Sequence, residues 1–395
     1  MSKLKKTIAI LTGGGDVPGL NPAIRSLTIR AIRSNFKVIG LRKGWAGITE
    51  MVRDKNVDNS LHFLELKEKI VNKWGRMGGT FLHTSRTRPS NMPKNAIPEH
   101  LKYKYTKDKN NDLTEEVIKN LCFLEIDYLI PIGGDDTLSY AVELHKKGIK
   151  IIGIPKTMDN DVFGTDYCIG FSTCVSRTIM MTNNLRTSAS SHERLLILEV
   201  FGRYAGFTAM LPTMAGSANR CVIPEYKFNI ENLAKLLIED RKKSSGKYSI
   251  VMVSEGASFE GQEMLFENNK KDMFGHQKLG GIGDMVSNKL KQISHKFNNG
   301  KTINIINQKL GYLVRGGDPD AIDSIVPMAY GNIAFDLITK GIHGKMVVIK
   351  NGKYDNVDIE IVVSNSKLVN VKQDYNTKKL RPFYKSFENR QMLIM

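Results

Sequence analysis

Gly133-Gly134-Asp135-Asp136-Thr137 follows the apolar run Tyr128–Ile132, and Pro155-Lys156-Thr157-Met158-Asp159-Asn160-Asp161 follows the run Ile149–Ile154. Each run reads as a buried strand, and each is left by a loop rich in charge. A glycine pair at a strand end lets backbone N–H groups come close to a phosphate. The carboxylates behind it suit a divalent cation or a proton in transit. Asp136 and Lys156 bear on which phosphate donor fits.

Working outward, strand-like runs alternate with helical periodicity. Thr7–Leu11 reads as a strand, with a loop over Thr12–Gly19 and a helix from about Asn21 to Arg33. Phe36–Leu41, Tyr128–Ile132, Ile151–Ile154, Arg194–Val200, Tyr248–Val253 and Thr302–Ile306 read as further strands, and Lys345–Ile349 and Val357–Val363 are strand-like. Helices are expected at Leu138–Lys147, near Gly206–Met214 and around Met285–Phe297. This order predicts an α/β protein with parallel sheets covered by helices on both faces, and ligands beyond the carboxyl ends of the strands. Arg53–Ser60, Pro93–Asn111 and Glu260–Gly281 read as polar loops or insertions.

The 395 residues suffice for two such domains. No apolar run approaches the ~18 residues of a membrane span, and the run Ile8–Leu11 is too short for a signal-peptide core, so the expected compartment is the cytoplasm. Cys122, Cys168, Cys174 and Cys221 lack zinc-ligand spacing and read as reduced thiols. The net charge of +18 is spread along the chain without interleaved aromatic residues. That pattern favours solvated basic faces over a nucleic-acid surface, and the positive field would draw in phosphorylated substrates.

Other segments carry chemistry. Gly13-Gly14-Gly15 lies between a strand and a helix, where a tight turn needs fewer glycines; amides wrapped around an anion account for the third. No Gly-Lys-Ser/Thr follows, so this is not a nucleotide P-loop. Gly78-Gly79 leads to Arg86, a fork of donors suited to phosphate. Asp135 is placed to serve a cation, and a carboxylate of the Asp159-Asn160-Asp161 loop to take a proton from an attacking hydroxyl. An Asx-type turn accounts for Asn160 or Asp161 but not for the whole Asp-Asn-Asp group. The segments Glu199–Gly206, Ser254-Glu255-Gly256 and Gly311–Gly317 put Arg203, Glu255 and Arg315 beside glycines and together offer a sugar phosphate a cationic clamp and a hydroxyl acceptor.

From about Thr7 to at least Lys340 these segments, in this order and spacing, resemble the phosphofructokinase family, in particular its pyrophosphate-dependent members. The resemblance implies two Rossmann-like domains, each a mostly parallel sheet, with the active site in the cleft between them. Residues 1–170 with 314–365 would form the donor domain, and 171–313 with 366–395 the sugar-phosphate domain. It further implies that Gly14, Gly15 and Arg86 meet the phosphoryl donor and that Asp135 serves Mg²⁺. Thr157, Met158, Asp159, Phe201, Gly202, Arg203, Glu255 and Tyr312 through Arg315 would line the sugar phosphate, with Asp159 as base. Arg194 would reach a neighbouring subunit's substrate, in a homodimer or homotetramer.

Relatives that use ATP typically carry glycine at the positions of Asp136 and Lys156. A carboxylate at 136 adds bulk and charge where a nucleotide's α-phosphate would lie, and Lys156 can neutralise pyrophosphate as its bond breaks. The resemblance therefore implies reversible phosphoryl transfer from pyrophosphate to O1 of fructose 6-phosphate, a glycolytic and gluconeogenic step. Phe201 stands where methionine is common, Tyr312 at a frequent histidine position, and Ile306 where many bacterial relatives carry a second cross-subunit arginine. These departures leave room for sedoheptulose 7-phosphate. The alternatives are an ATP-dependent enzyme of the same fold, a lipid or NAD kinase, and a non-catalytic sugar-phosphate or nucleic-acid binder. Pro155–Asp161 and Gly311–Gly317 argue against the lipid or NAD kinase, and Asp135 with Asp159 against the binder.

Overall fold

A computed structural model describes residues 5–108, 110–271 and 277–388. The chain begins β1 (Thr7–Thr12), α1 (Leu20–Arg33), β2 (Lys37–Leu41), α2 (Trp45–Glu50), β3 (Phe63–Glu65), α3 (Glu68–Trp74) and α4 (Thr114–Phe123). It continues β4 (Tyr128–Gly133), α5 (Asp135–Lys146), β5 (Ile152–Pro155), α6 (Phe171–Ser191), β6 (Leu195–Val200), α7 (Phe207–Met214), β7 (Arg220–Val222), α8 (Ile230–Lys243) and β8 (Ser249–Ser254). Next come β9 (Phe266–Lys271), β10 (Gln277–Leu279), α9 (Ile282–Phe297), β11 (Ile305–Lys309), α10 (Ala321–Thr339), β12 (Lys345–Lys350) and β13 (Lys353–Asp358).

Two sheets organise these elements. The first has seven strands in the order β13-β12-β5-β4-β1-β2-β3, and the second four in the order β11-β6-β8-β7. The second is parallel throughout. The first is parallel at its centre, with β3 and β13 pairing antiparallel at its edges, which makes it mostly parallel, as the sequence predicts. Strands β1, β4, β6 and β8 are buried along their whole length. Helices cover them on both faces, which is why these strands read as continuous apolar runs.

Several elements differ from the sequence expectation; Val357–Val363, read as strand-like, leaves β13 at Asp358 and runs on as a 3-10 helix over Ile359–Val363. Helix α5 begins at Asp135 rather than Leu138, because Asp135 and Asp136 complement the positive end of the helix in its first turn. Strand β11 lies at Ile305–Lys309 rather than Thr302–Ile306: its parallel pairing sets Ile305 opposite Leu195 and Lys309 opposite Glu199. Glu260–Gly281, read as a loop, contains the antiparallel ribbon β9–β10; residues 272–276 of that stretch lie outside the described residues.

The chain returns to the first sheet through α10 and β12, and its last part then comes back to the second. There Tyr375 Oη donates to the Cys221 carbonyl at 2.6 Å, and the Cys221 N–H to the Leu380 carbonyl at 2.9 Å. Among the described residues no helix is long and apolar enough to cross a membrane.

Candidate active site

A cleft of about 380 Å³ opens where β1, β4 and β5 of the first sheet and β6 and β8 of the second end. On the first sheet its wall is the loop after β1. The Gly13 N–H donates to the Ile132 carbonyl at 3.0 Å and the Gly14 N–H to the Ser85 carbonyl at 3.0 Å. Those two amides are spent inside the protein, contrary to the expectation that the Gly13–Gly15 amides jointly cradle an anion. What the glycines provide is close approach: a Cβ on Gly14, whose φ is +79°, would lie 3.2 Å from Lys156 Nζ.

Lys156 is 4% exposed, and its Nζ donates to the Gly15 carbonyl at 2.7 Å. Burial, reinforced by the Arg315 guanidinium, lowers its pKa to about 8. Arg86 also borders the cleft, from the exposed loop after Leu82.

Asp135 and Asp136 enter from the first turn of α5. Burial, then the charges of Asp161 and Asp136, push the Asp135 carboxyl up to about 8. Its Oδ1 is buried without a hydrogen-bond partner, as are Asp159 Oδ1 and Thr137 Oγ1. An orphaned carboxylate oxygen held in a negative cluster fits a divalent cation, which would supply the missing partner and hold the carboxyl ionised. Among the described residues no group of three or more His, Cys, Asp or Glu side chains could hold a metal by itself. Asp135 therefore fits a cation that takes most of its ligands from phosphate and water, as magnesium does.

The loop after β5 turns at Asn160, in the left-handed region at φ +56°. The Asp159 N–H donates to Thr157 Oγ1 at 3.2 Å. Burial first, then Asp161 and Glu255, raise the Asp159 carboxyl well above the usual range, with Arg203 pulling it back. Burial raises Asp161 as well.

The second sheet supplies the opposite wall. Gly202 stands at φ +120°, and a Cβ there would fall 2.8 Å from the Ala205 carbonyl oxygen. Arg203 Nη1 donates to the Gln277 carbonyl at 2.9 Å, linking the cleft to the β9–β10 ribbon. The Glu255 N–H donates to the Val200 carbonyl at 2.9 Å, which fixes its backbone at the end of β8. Arg315 lies 4.4 Å from the centre of the Tyr312 ring and 5.9 Å from that of Phe201, and pairs with Asp16 at 3.0 Å.

The fold thus brings Gly14, Gly15, Arg86, Asp135, Asp136, Lys156, Thr157, Met158, Asp159, Phe201, Arg203, Glu255 and Arg315 to one cleft. Gly202 lies beside it, and Tyr312 (74% exposed) and Leu313 flank its mouth from the surface. Val314 is fully buried in the core, so its side chain cannot meet a ligand there. Arg194 is elsewhere, at the opposite end of β6, where it borders a second cavity with Lys291 and Ile306. Reading by motif gave no role to Asp16, Thr137 or Ser366, which the fold also places here or in contact with residues here. Asp16 follows the glycine run directly and could have been found; Ser366 carries no local signal.

Acidic side chains and the buried Lys156 at the strand ends of the first sheet face Arg203 and Glu255 at the strand ends of the second, an arrangement suited to phosphoryl transfer. The family described as Phosphofructokinase matches residues 7–338, and the chain belongs to that family. It is 35% identical over 378 residues to the pyrophosphate–fructose 6-phosphate 1-phosphotransferase of Dictyoglomus thermophilum, spanning 93% of this chain and 96% of that one. It is 34% identical over 363 residues to ATP-dependent 6-phosphofructokinase 3 of Streptomyces coelicolor, spanning 92% and 96%. The crystal structure of the pyrophosphate-dependent phosphofructokinase from Marinobacter aquaeolei shares the fold, with a TM-score of 0.72 at 20% identity over 96% of this chain and 89% of that one.

Proposed function

We propose that the protein transfers a phosphoryl group reversibly from pyrophosphate, with Mg²⁺, to O1 of fructose 6-phosphate, giving fructose 1,6-bisphosphate and phosphate. The observation that carries the donor assignment is the pairing of Asp136, in the first turn of α5, with Lys156 buried against Gly15. A second carboxylate at the helix start opposes a longer, more highly charged nucleotide chain, while a buried ammonium favours a compact diphosphate. Relatives of similar identity bear both pyrophosphate-dependent and ATP-dependent names, so this pair rather than overall similarity decides.

Each role follows from its surroundings. Asp135 would hold the metal, which supplies positive charge to the phosphate oxygens when bound. Asp159 accepts the proton of the sugar's 1-hydroxyl; its raised pKa makes it a strong base once ionised and an acid in the reverse direction. Lys156 stabilises charge on the transferring group, and Arg86 borders the donor side. Arg203, Arg315 and Glu255 orient the sugar phosphate, with Thr157, Met158 and Phe201 shaping its pocket. Transfer then depends on positioning and electrostatics.

Residues 1–170 with 314–365 form the donor domain in this reading, and 171–313 with 366–395 the sugar domain. Arg194, at the far end of β6, serves a neighbouring copy's substrate, which makes the working unit a dimer or larger. The deciding experiment supplies purified protein with Mg²⁺, fructose 6-phosphate and either donor. Turnover with pyrophosphate and little with ATP is expected; efficient use of ATP with inert pyrophosphate overturns the donor assignment.

A further inference from the structure

Surface lysines usually turn their ammonium groups out to water. Lys367 does the reverse: its Nζ donates to the main-chain carbonyl of Asp166 at 2.7 Å and lies 5.6 Å from the centre of the Phe207 ring. Its own N–H donates to the Asp161 carbonyl at 3.3 Å. The Asp166 carbonyl also accepts Asn160 Nδ2 at 3.0 Å, and Asn160 Oδ1 accepts the Cys168 N–H at 2.9 Å. The loop bearing Asp159 and Asp161 is thus closed from within by Asn160 and fastened from without by Lys367.

The same strap reaches the other sheet. Two residues on, the Val369 N–H donates to Glu225 Oε1 at 2.8 Å, and that oxygen also accepts the Gly206 N–H at 2.9 Å, where α7 begins. Ser366, next to Lys367, faces the cleft. Residues 364–370 lie beyond residue 338, where the match to the family ends.

We propose that Lys367 is a positioning residue: through the strap 364–370 it holds the Asp159–Asp166 loop in the conformation that presents Asp159 and Asp161 to the cleft, and couples that loop to α7. An ammonium turned inward onto a main-chain carbonyl gives up water contacts, a cost that only a defined partner geometry offsets. The loop it holds sets Asp159 and Asp161 beside Asp135, and wherever these carboxyls ionise their mutual repulsion works against that arrangement.

The kinetic part of the test rests on the phosphoryl-transfer reading above; the structural part does not. In the full chain, Lys367→Met should speed hydrogen exchange of the Cys168 amide and its loop neighbours at least about tenfold, with Lys367→Arg intermediate and both melting within a few degrees of wild type. With pyrophosphate, Mg²⁺ and fructose 6-phosphate, Lys367→Met should lose about 10- to 100-fold in kcat while KM values stay within about 3-fold, and Lys367→Arg should recover most of the loss. Wild-type exchange in the Met variant overturns the proposal whatever the kinetics. So does a loosened loop with unchanged kcat, or a large fall in melting temperature with no rescue by arginine. Wild-type protein inert with pyrophosphate would sink the functional reading alone, the exchange data still deciding what Lys367 does.

Discussion

Lys156 Nζ lies 2.7 Å from the Gly15 carbonyl oxygen, so a lysine at the end of β5 reaches past β4 and docks against the glycine loop that follows β1. With a pKa lowered to about 8, it keeps its charge below that pH and loses it above. Turnover should therefore fall on the alkaline side as pH rises through about 8. Lys156→Met should cost about 10²- to 10³-fold in kcat with pyrophosphate and flatten that limb of the pH–rate profile.

Donor choice is separable from catalysis. Replacing Asp136 and Lys156 together by glycine removes both the opposing carboxylate and the diphosphate-specific cation. We expect kcat/KM for ATP to rise by about tenfold or more and that for pyrophosphate to fall, measured side by side at fixed Mg²⁺. A double variant that loses pyrophosphate use without gaining ATP use would show that the pair supports catalysis but does not discriminate.

Asp159 supplies the acidic limb. Its carboxyl must be ionised to accept the sugar proton, and burial beside Asp161 and Glu255 raises the pH at which that happens. Asp159→Ala should reduce kcat about 10³-fold, with fructose 6-phosphate still bound within a few-fold by calorimetry. Retained catalysis would remove Asp159 from the base role.

Asp135 illustrates the stability cost of the site. Its carboxyl titrates at about 8 in the fold against 3.8 ordinarily, so between those values the folded state binds the extra proton and stability falls as pH rises. Asp135→Asn removes that slope. Without divalent cation it should melt a few degrees higher at pH 8 (~2–5 °C), and it should lose cation-dependent turnover.

At Gly202 the backbone itself is the constraint. With φ at +120° and a Cβ facing the Ala205 carbonyl oxygen, Gly202→Ala should cost about 1–3 kcal/mol in denaturant unfolding. It should also raise KM for the sugar phosphate by shifting Phe201 and Arg203.

The two-sheet α/β fold was legible because β1, β4, β6 and β8 are buried on both faces and therefore apolar without interruption. Helix α6 gave no comparable signal: its Ser, Thr and Asn residues, several of them buried, hide the apolar face. Helix α10 is apolar nearly all round and carries Pro327 inside, so it lacks a clear stripe. Ribbon β9–β10 was illegible because FENNKK has no alternation of apolar and polar residues. Within the cleft, glycine-and-charge motifs at strand ends could be read directly. What could not be read was a hydrogen-bond choice, such as the Gly14 amide going to Ser85, or a contact from distant sequence, such as Lys367 on Asp166.

The orphaned oxygen of Asp135 carries a thermodynamic consequence. The Asp135 carboxyl is held above its ordinary range, so a cation that binds it displaces a hydrogen ion to the solvent. The heat of binding will then depend on the ionisation enthalpy of the buffer, and apparent affinity will weaken as the medium acidifies. Cation occupancy in this protein is thereby tied to the proton activity around it, with no separate sensor site required.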